Sequence, residues 1–205
     1  TRSYSVTGVQ TCALPILAIA VALLSACIPS VNPYYTDKQV FFEPRLVGEW
    51  LPQEDSKDAE SWKFESAEGK AYKLTVTEEE GRQGEFTAHL FKLKQELFLD
   101  LIPSECKYAT NEAGLVAAAM IPGHLLARVT QVAPELKLAF FDWRWLEQHL
   151  KANPKALAHR AAGETIVLTA STRDLQRFVL KHLGEDGLFD SPSVMTRKTG
   201  GPTGP

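Results

Sequence analysis

The sequence predicts a mainly β domain with inserted helices, in which an antiparallel meander closes into a barrel or half-barrel and two or three helices lie in the C-terminal half. Short segments with an apolar residue at every second position recur along the chain, and turn-forming residues separate them. Clear helical spacing of apolar residues appears only from residue 142 onward. Because closure removes exposed strand edges, a meander of sequential neighbours favours a barrel.

Five strands are predicted in the first half of the domain. The clearest contains Tyr72, Leu74 and Val76, which alternate with polar neighbours as in a half-buried strand. The segment before it, 66–70, is typical of a hairpin turn, and Lys94-Gln95 is expected to reverse the chain again. We expect these strands at residues 45–51, 61–65, 71–77, 85–93 and 96–102.

The second half combines strands with helices. Asp142 is expected to cap a helix that ends at Asn153-Pro154, and Ser171 with Asp174 resembles a capping box before a helix closed by Gly184. The other expected elements are one or two helical turns at 112–120, a short helix at 155–162, strands at 124–131, 135–141, 164–169 and 193–197, and a disordered tail at 199–205.

Composition indicates one globular domain, which we place at residues 45–198. The chain is 44% hydrophobic and 23% charged, enough apolar content to bury a core. Its formal net charge is −3, and no basic stripe stands out. These features exclude a typical nucleic-acid-binding protein.

An apolar leader precedes the domain. Residues 17–26 are about ten apolar or small residues, whereas about 20 are needed to span a bilayer as a helix. The run ends in Leu24-Ser25-Ala26-Cys27, which resembles the lipobox of bacterial lipoproteins. The resemblance implies cleavage before Cys27 and a lipid on its sulfur, so that a membrane is one partner. The alternative is a buried apolar helix that contains Cys27.

The residues after Cys27 extend this interpretation. Residues 27–44 include the Pro-rich stretch 28–38 and are predicted to be a lipid-anchored tether. In enterobacterial lipoproteins an aspartate after the lipidated cysteine favours the inner membrane. Ile28 stands there, so the resemblance implies an outer-membrane protein that faces the periplasm. Acyl chains anchor stably because each buried methylene contributes about 0.8 kcal/mol.

Residues 1–16 are expected not to belong to the natural gene product. The string at 6–16 resembles the translation of a sequencing-adapter oligonucleotide, although a genuine N-terminus with a Pro-containing turn is the alternative. Cys12 is then without a biological role. With Cys27 acylated, Cys106 is the single remaining thiol and no intramolecular disulfide is expected. We expect Cys106 to be a small packed residue rather than a reactive one.

A second resemblance concerns the two ends of the domain. Gly48-Glu49-Trp50 lies in the first predicted strand, and Arg197 lies in the last. Lipocalins and their relatives share a G-x-W whose Trp packs beneath an Arg near the C-terminal end. The resemblance implies a lipocalin-like barrel with Trp50 and Arg197 as a closing pair, strengthened by a cation–π term of about 0.5–2 kcal/mol. The alternative is an unrelated antiparallel sheet with helices on one side.

Few residues suggest chemistry. The five histidines lack metal-ligand spacing, no Ser lies in a G-x-S-x-G motif, and we expect no metal, no cofactor and no catalytic residues. Asp100 lies in an apolar strand: it either points into a barrel interior, with a possible function, or outward to solvent. Trp143 and Trp145 belong to an aromatic cluster that serves either helix packing or a ligand or partner surface.

The sequence therefore favours a non-enzymatic, membrane-anchored envelope lipoprotein that binds a small apolar ligand or an envelope protein. The alternative is a structural or interaction module with a filled core and no ligand pocket. An envelope hydrolase with residues assembled from distant segments is a third hypothesis. A cavity lined by alternate strand residues would distinguish the first hypothesis from the second.

Overall fold

The computed structural model describes residues 28–53, 60–78, 81–104, 122–162 and 165–198. The described strands are β1 (Gly48–Pro52), β2 (Ser61–Ser66), β3 (Tyr72–Thr77), β4 (Gln83–Leu93), β5 (Glu96–Pro103), β6 (Leu125–Gln131), β7 (Glu135–Phe140), β8 (His159–Ala162), β9 (Thr165–Leu168) and β10 (Ser193–Arg197). Eight of them form a closed antiparallel barrel with the hydrogen-bonded order β1-β10-β7-β6-β5-β4-β3-β2, and β8 and β9 form a separate hairpin. The predicted mainly β class and the barrel are confirmed.

Two α-helices are described, and both begin at the predicted caps. Helix α1 spans Trp143–Ala152, and the Asp142 carboxylate accepts a hydrogen bond from the Trp145 amide at 2.5 Å. Helix α2 spans Thr172–His182, and the Ser171 hydroxyl oxygen accepts one from the Asp174 amide at 3.3 Å. These side chains satisfy amides that the first helical turn leaves without partners. Neither described helix has both the length and the apolar character that crossing a membrane requires.

The barrel interior is filled by its own side chains. Alternate residues of every strand point inward, as the period of two requires. Leu97, Leu99 and Leu101 do so in β5, and Tyr72 and Leu74 do so in β3. The largest fully buried interior side chains are Trp50, Phe64, Tyr72, Leu74, Leu90, Leu99, Leu101 and Leu136.

A second apolar cluster lies on the outer face of the barrel. Phe91 and Phe98 alternate with the inward residues of β4 and β5, so they point outward, yet both are fully buried. They are covered by the two helices, the β8–β9 hairpin and the N-terminal segment 28–40. This part of the barrel wall is therefore covered on both faces. We call the outer layer here, formed by α1, α2, β8–β9 and residues 28–40, the helical flank.

The predicted tether is packed, which corrects the start of the folded domain. Ile28, Tyr34 and Val40 are at most 5% exposed within the cluster of the helical flank. Ser30 exchanges two backbone hydrogen bonds with His124, at 2.9 and 2.8 Å. Apolar residues in this Pro-rich stretch cover the outward-facing side chains of the barrel, so ordered packing begins at least at Ile28.

The predicted helix at 155–162 is wrong. Residues 154–157 form turns, and His159–Ala162 is strand β8, which pairs with β9. The segment is rich in Ala, a good helix former, but it lacks an apolar stripe that could hold a helix on the barrel. The strand predicted at 164–169 exists as β9 but lies outside the barrel. The first strand also begins later than predicted, because Pro44–Leu46 forms a 3-10 turn.

Several predictions fall on residues outside the described ranges. These are the adapter-like and leader segments with Cys27, the helical turns at 112–120, the thiol of Cys106 and the tail at 199–205.

Candidate functional site

Trp50 and Arg197 lie together where the first and last barrel strands pair. They are direct partners in the β1–β10 register, and the guanidinium carbon of Arg197 lies 4.5 Å from the centroid of the fully buried Trp50 ring. The indole Nε1 donates to the Leu46 carbonyl at 2.9 Å. Arg197 donates to the carbonyls of Val47, at 2.6 Å, and Arg45. The pair thus joins the turn before β1 to the last strand.

Gly48 explains why the G-x-W motif needs its glycine. Its φ is +138°, a backbone conformation that residues other than glycine rarely adopt. A Cβ at this position would lie 2.2 Å from Nη1 of Arg197. The glycine therefore provides the space that lets the guanidinium lie across Trp50.

Asp100 points outward from the barrel but is fully buried, an outcome that neither sequence-based alternative described. The N-terminal segment covers it. Its carboxylate accepts a hydrogen bond from the Tyr34 amide at 2.9 Å and contacts Nδ1 of His124 at 2.7 Å. His89, its direct partner in β4, stacks on Tyr35 with ring centroids 4.6 Å apart. Asp100 thus joins β5, the residue before β6 and the N-terminal segment.

Three of the groups near Asp100, namely His89, Tyr34 and Tyr35, are held in their neutral forms. Burial lowers the pKa of His89, and the nearby Asp100 carboxylate only partly opposes this. Burial and the same carboxylate raise the pKa of Tyr35 to about 12 and that of Tyr34 still further. Near Asp100, the Tyr34 hydroxyl and His89 Nδ1 are buried and have no hydrogen-bond partner among the described residues.

An Asp–His contact of this length is the geometry of a general base with its orienting carboxylate. Such a base must also reach a substrate in a cleft. Asp100 has no exposed surface and His124 is 9% exposed, and both lie under the N-terminal segment. The arrangement is suited to fastening that segment to the barrel.

Trp145 and Trp143 have different surroundings on the helical flank. Trp145 stacks on His149 with ring centroids 4.7 Å apart and meets His182 edge-on at 5.4 Å. Trp143 is half-buried, and the guanidinium carbon of Arg144 lies 5.6 Å from its ring centroid. Trp145 thus belongs to a histidine-rich cluster that sequence reasoning did not anticipate.

That cluster contains a possible ligand set for a metal. His149, His182 and Glu185 each offer one ligand atom, and these atoms lie within 4.8 Å of one another. Nδ1 of His182 is 2.6 Å from Oε1 of Glu185. The only signal in the sequence was the spacing of three between His182 and Glu185. His149 comes from another helix, so tertiary packing alone assembles the set.

Three clefts of about 380, 510 and 480 Å³ lie on the helical flank. His182 lines the first, His149 the second and Trp145 the third. Their walls come from the helices and adjoining loops, and they contain neither a barrel-interior residue nor Asp100. Among the described residues, these concave surfaces thus coincide with the histidine-rich cluster.

The third cleft has an acidic wall. Asp142 and Asp190 lie close together there, and partial burial together with the neighbouring Asp142 carboxyl raises the pKa of Asp190 to about 6. Asp142 also caps α1, so it is already engaged as a hydrogen-bond acceptor.

Comparisons with protein-family models, with curated proteins and with solved structures found no significant match to this chain.

Proposed function

We propose that this chain is a non-enzymatic, lipid-anchored protein of the bacterial cell envelope that works as an interaction module. Its barrel serves as a filled scaffold, and its helical flank meets an envelope protein partner. The observation that carries the proposal is the occupied interior, where Trp50, Tyr72 and Leu99 have no exposed surface. A carrier of apolar ligands needs an interior cavity instead.

The lipid anchor rests on the lipobox-like Leu24-Ser25-Ala26-Cys27, which lies outside the described residues. Its support is chemical: small residues before the cut suit a peptidase that binds extended chain, and a thiol is the nucleophile for thioether formation. The absence of aspartate at position 28 favours the outer membrane, with the domain in the periplasm. The barrel and the Trp50–Arg197 pair are consistent with a lipocalin-like relationship.

The partner surface is placed on the helical flank because the described clefts lie there. Concave surfaces with mixed polar and apolar walls suit the insertion of partner side chains. The clefts carry exposed polar groups such as Lys155, Lys181 and Gln148, which provide the polar rim that transient interfaces use.

Membrane fractionation tests the anchor. The chain is expressed behind a complete lipoprotein leader, either unchanged, as Cys27→Ser or as the matched control Cys106→Ser. We expect Cys27→Ser to move the protein from the membrane fraction to the soluble fraction, and Cys106→Ser to leave it with the membrane. Mass spectrometry should find acyl chains on Cys27. An unmodified Cys27, with the leader still attached, would refute the lipid proposal.

Site-specific photo-crosslinking in cells tests the partner surface. A photoreactive residue at Gln148, exposed on α1, should give a discrete higher-mass adduct. The control position is Lys63, exposed on β2 in the barrel wall, and should give none. Native mass spectrometry of the Cys27→Ser protein provides the opposing test. A stoichiometric apolar small molecule that co-purifies with it would favour a carrier instead.

A further inference from the structure

The ends of the two helices bring three metal-ligating side chains together. His149 lies in the last turn of α1, His182 is the last residue of α2, and Glu185 lies in the turn that follows. The helices are held in place because Leu146 and Leu150 of α1 pack in the same apolar cluster as α2. The ring centroids of His149 and His182 are 4.6 Å apart.

We propose that His149, His182 and Glu185 form a binding site for one divalent transition-metal ion of the Zn²⁺ class. Their ligand atoms lie within 4.8 Å of one another. Imidazole nitrogen and carboxylate oxygen both bind Zn²⁺ at about 2.0–2.2 Å, which places neighbouring ligands about 3.4 Å apart in a tetrahedral site. Bringing the most distant pair to this spacing takes a contraction of at most about 1.4 Å. Glu185 is exposed and His149 half-buried, so both side chains have room to adjust.

Two of the three ligand atoms already lie side by side. Oε1 of Glu185 is 2.6 Å from Nδ1 of His182, closer than the about 3.4 Å that separates neighbouring ligands in a tetrahedral zinc site. A bound ion would take the place of the proton between these two atoms, because metal binding displaces protons from the ligands. Nδ1 of His182 and Oε1 of Glu185 are therefore the ligand atoms that these two residues supply.

His149 supplies the second imidazole. Its stacking on Trp145 fixes the ring plane beside His182. Two of the clefts reach the site, one lined by His182 and one by His149, so solvent or an exogenous ligand has a route to the remaining coordination positions.

Lys181 also lines both of these clefts and opposes a cation electrostatically. The positive charge of Lys181 therefore favours an ion that forms strong bonds to nitrogen over an ion that is held by charge alone. Hard cations such as Mg²⁺, which bind oxygen ligands and keep their water, should therefore not bind here. The ion would join the end of α1 to the turn after α2 and stabilise the helical flank by mass action.

Titration calorimetry with ZnCl₂ tests the site on the full chain, alongside thermal unfolding with and without the metal. We expect one Zn²⁺ per chain and a higher melting temperature with Zn²⁺ but not with Mg²⁺. His149→Ala should abolish binding. Glu185→Gln should weaken it by at least about 10-fold, because it replaces an anionic ligand and even the loss of a supporting carboxylate costs about 10–100-fold. Neither substitution removes a buried side chain, so both variants are expected to fold.

Two controls separate this site from other zinc ligands. His159→Ala removes a histidine from β8, whose Nδ1 contacts the Leu157 carbonyl, and Cys106→Ser removes the thiol. Both should bind Zn²⁺ like the unchanged chain. Affinity that is unchanged in His149→Ala and Glu185→Gln would overturn the proposal, as would the absence of any zinc binding. The cluster would then be a packing arrangement of aromatic and imidazole rings.

Discussion

Removing the carboxylate of Asp100 should release the N-terminal segment and destabilise the whole domain. Asp100 is fully buried and is the acceptor for the Tyr34 amide and a close contact of His124. A hydrogen bond to a charged group contributes about 1.5–3 kcal/mol, and a buried donor without a partner incurs its desolvation cost. Two such contacts give an expected loss of about 3–5 kcal/mol in the free energy of unfolding for Asp100→Ala.

Asp100→Asn gives a graded test of the same reasoning. Asparagine has nearly the same volume and retains one acceptor oxygen, but it presents an amide group where a second acceptor is needed. We expect a loss of about half that of Asp100→Ala. The control Asp37→Asn changes an exposed carboxylate in the same N-terminal segment and should stay within about 0.5 kcal/mol of the unchanged protein.

Urea unfolding followed by tryptophan fluorescence measures these losses, and limited trypsin digestion reports on the segment itself. Lys38 is exposed in a turn of the segment, so cleavage after it should become faster in both Asp100 variants. A loss below about 1 kcal/mol for Asp100→Ala, with unchanged cleavage after Lys38, would refute the idea that this carboxylate fastens the segment.

Two further substitutions test the barrel closure and the acidic cleft. Trp50→Ala should cost about 3–5 kcal/mol in urea unfolding, because it empties a fully buried site and removes the ring beneath Arg197; a loss below about 1 kcal/mol would contradict that packing. Asp190→Asn should raise the melting temperature at pH 7.5 and leave it unchanged at pH 3.5. The pKa of Asp190 is about 6 in the folded protein and 3.8 in the unfolded chain, so protonation of Asp190 stabilises the fold. This stabilisation is complete below pH 3.8 and is lost as the pH rises through 6. Because Asp190 is exposed, solvent screening keeps the gain below about 1 kcal/mol, and an equal shift at both pH values would contradict the assignment.

The barrel could be predicted because its information is local. Alternation of apolar and polar residues sets which side of a strand faces inward, and turns such as 66–70 set which strands are neighbours. The distant pairing of β1 with β10 had one signal, the G-x-W motif with Arg197. The structure accounts for that signal through Gly48, where a side chain would collide with the guanidinium.

The layer of residues that packs on the outer face of the barrel was not predicted, although the sequence contained an indication of it. Phe91 and Phe98 interrupt the polar face of their strands, so the outward faces of β4 and β5 are apolar in part. Strands of that kind need a layer on each side. The Pro-rich segment 28–40 supplies part of that layer through Tyr34 and Val40. Proline content excluded a helix there, but it did not exclude packing in an extended conformation.

The histidine-rich cluster could not be predicted by spacing. His149 and His182 come from helices whose relative placement depends on the outer face of the barrel, and no local period relates them. The same limit applies to Asp100. Its partners come from the N-terminal segment and from the residue before β6, and the depth of its burial depends on the cover.

The packed N-terminal segment constrains how an anchored domain would lie in the envelope. Ile28 is buried in the same apolar cluster as the two helices, and adjacent α-carbons are about 3.8 Å apart. A lipid attached to Cys27 would therefore be joined to the chain next to the helical flank. Between the lipid and the packed residue Ile28 there would be no flexible tether to hold the domain away from the bilayer. The clefts and the proposed metal site would then lie on the flank that carries the anchor. Such a flank is accessible to a partner embedded in, or held at, the same membrane, and less so to a freely diffusing periplasmic protein.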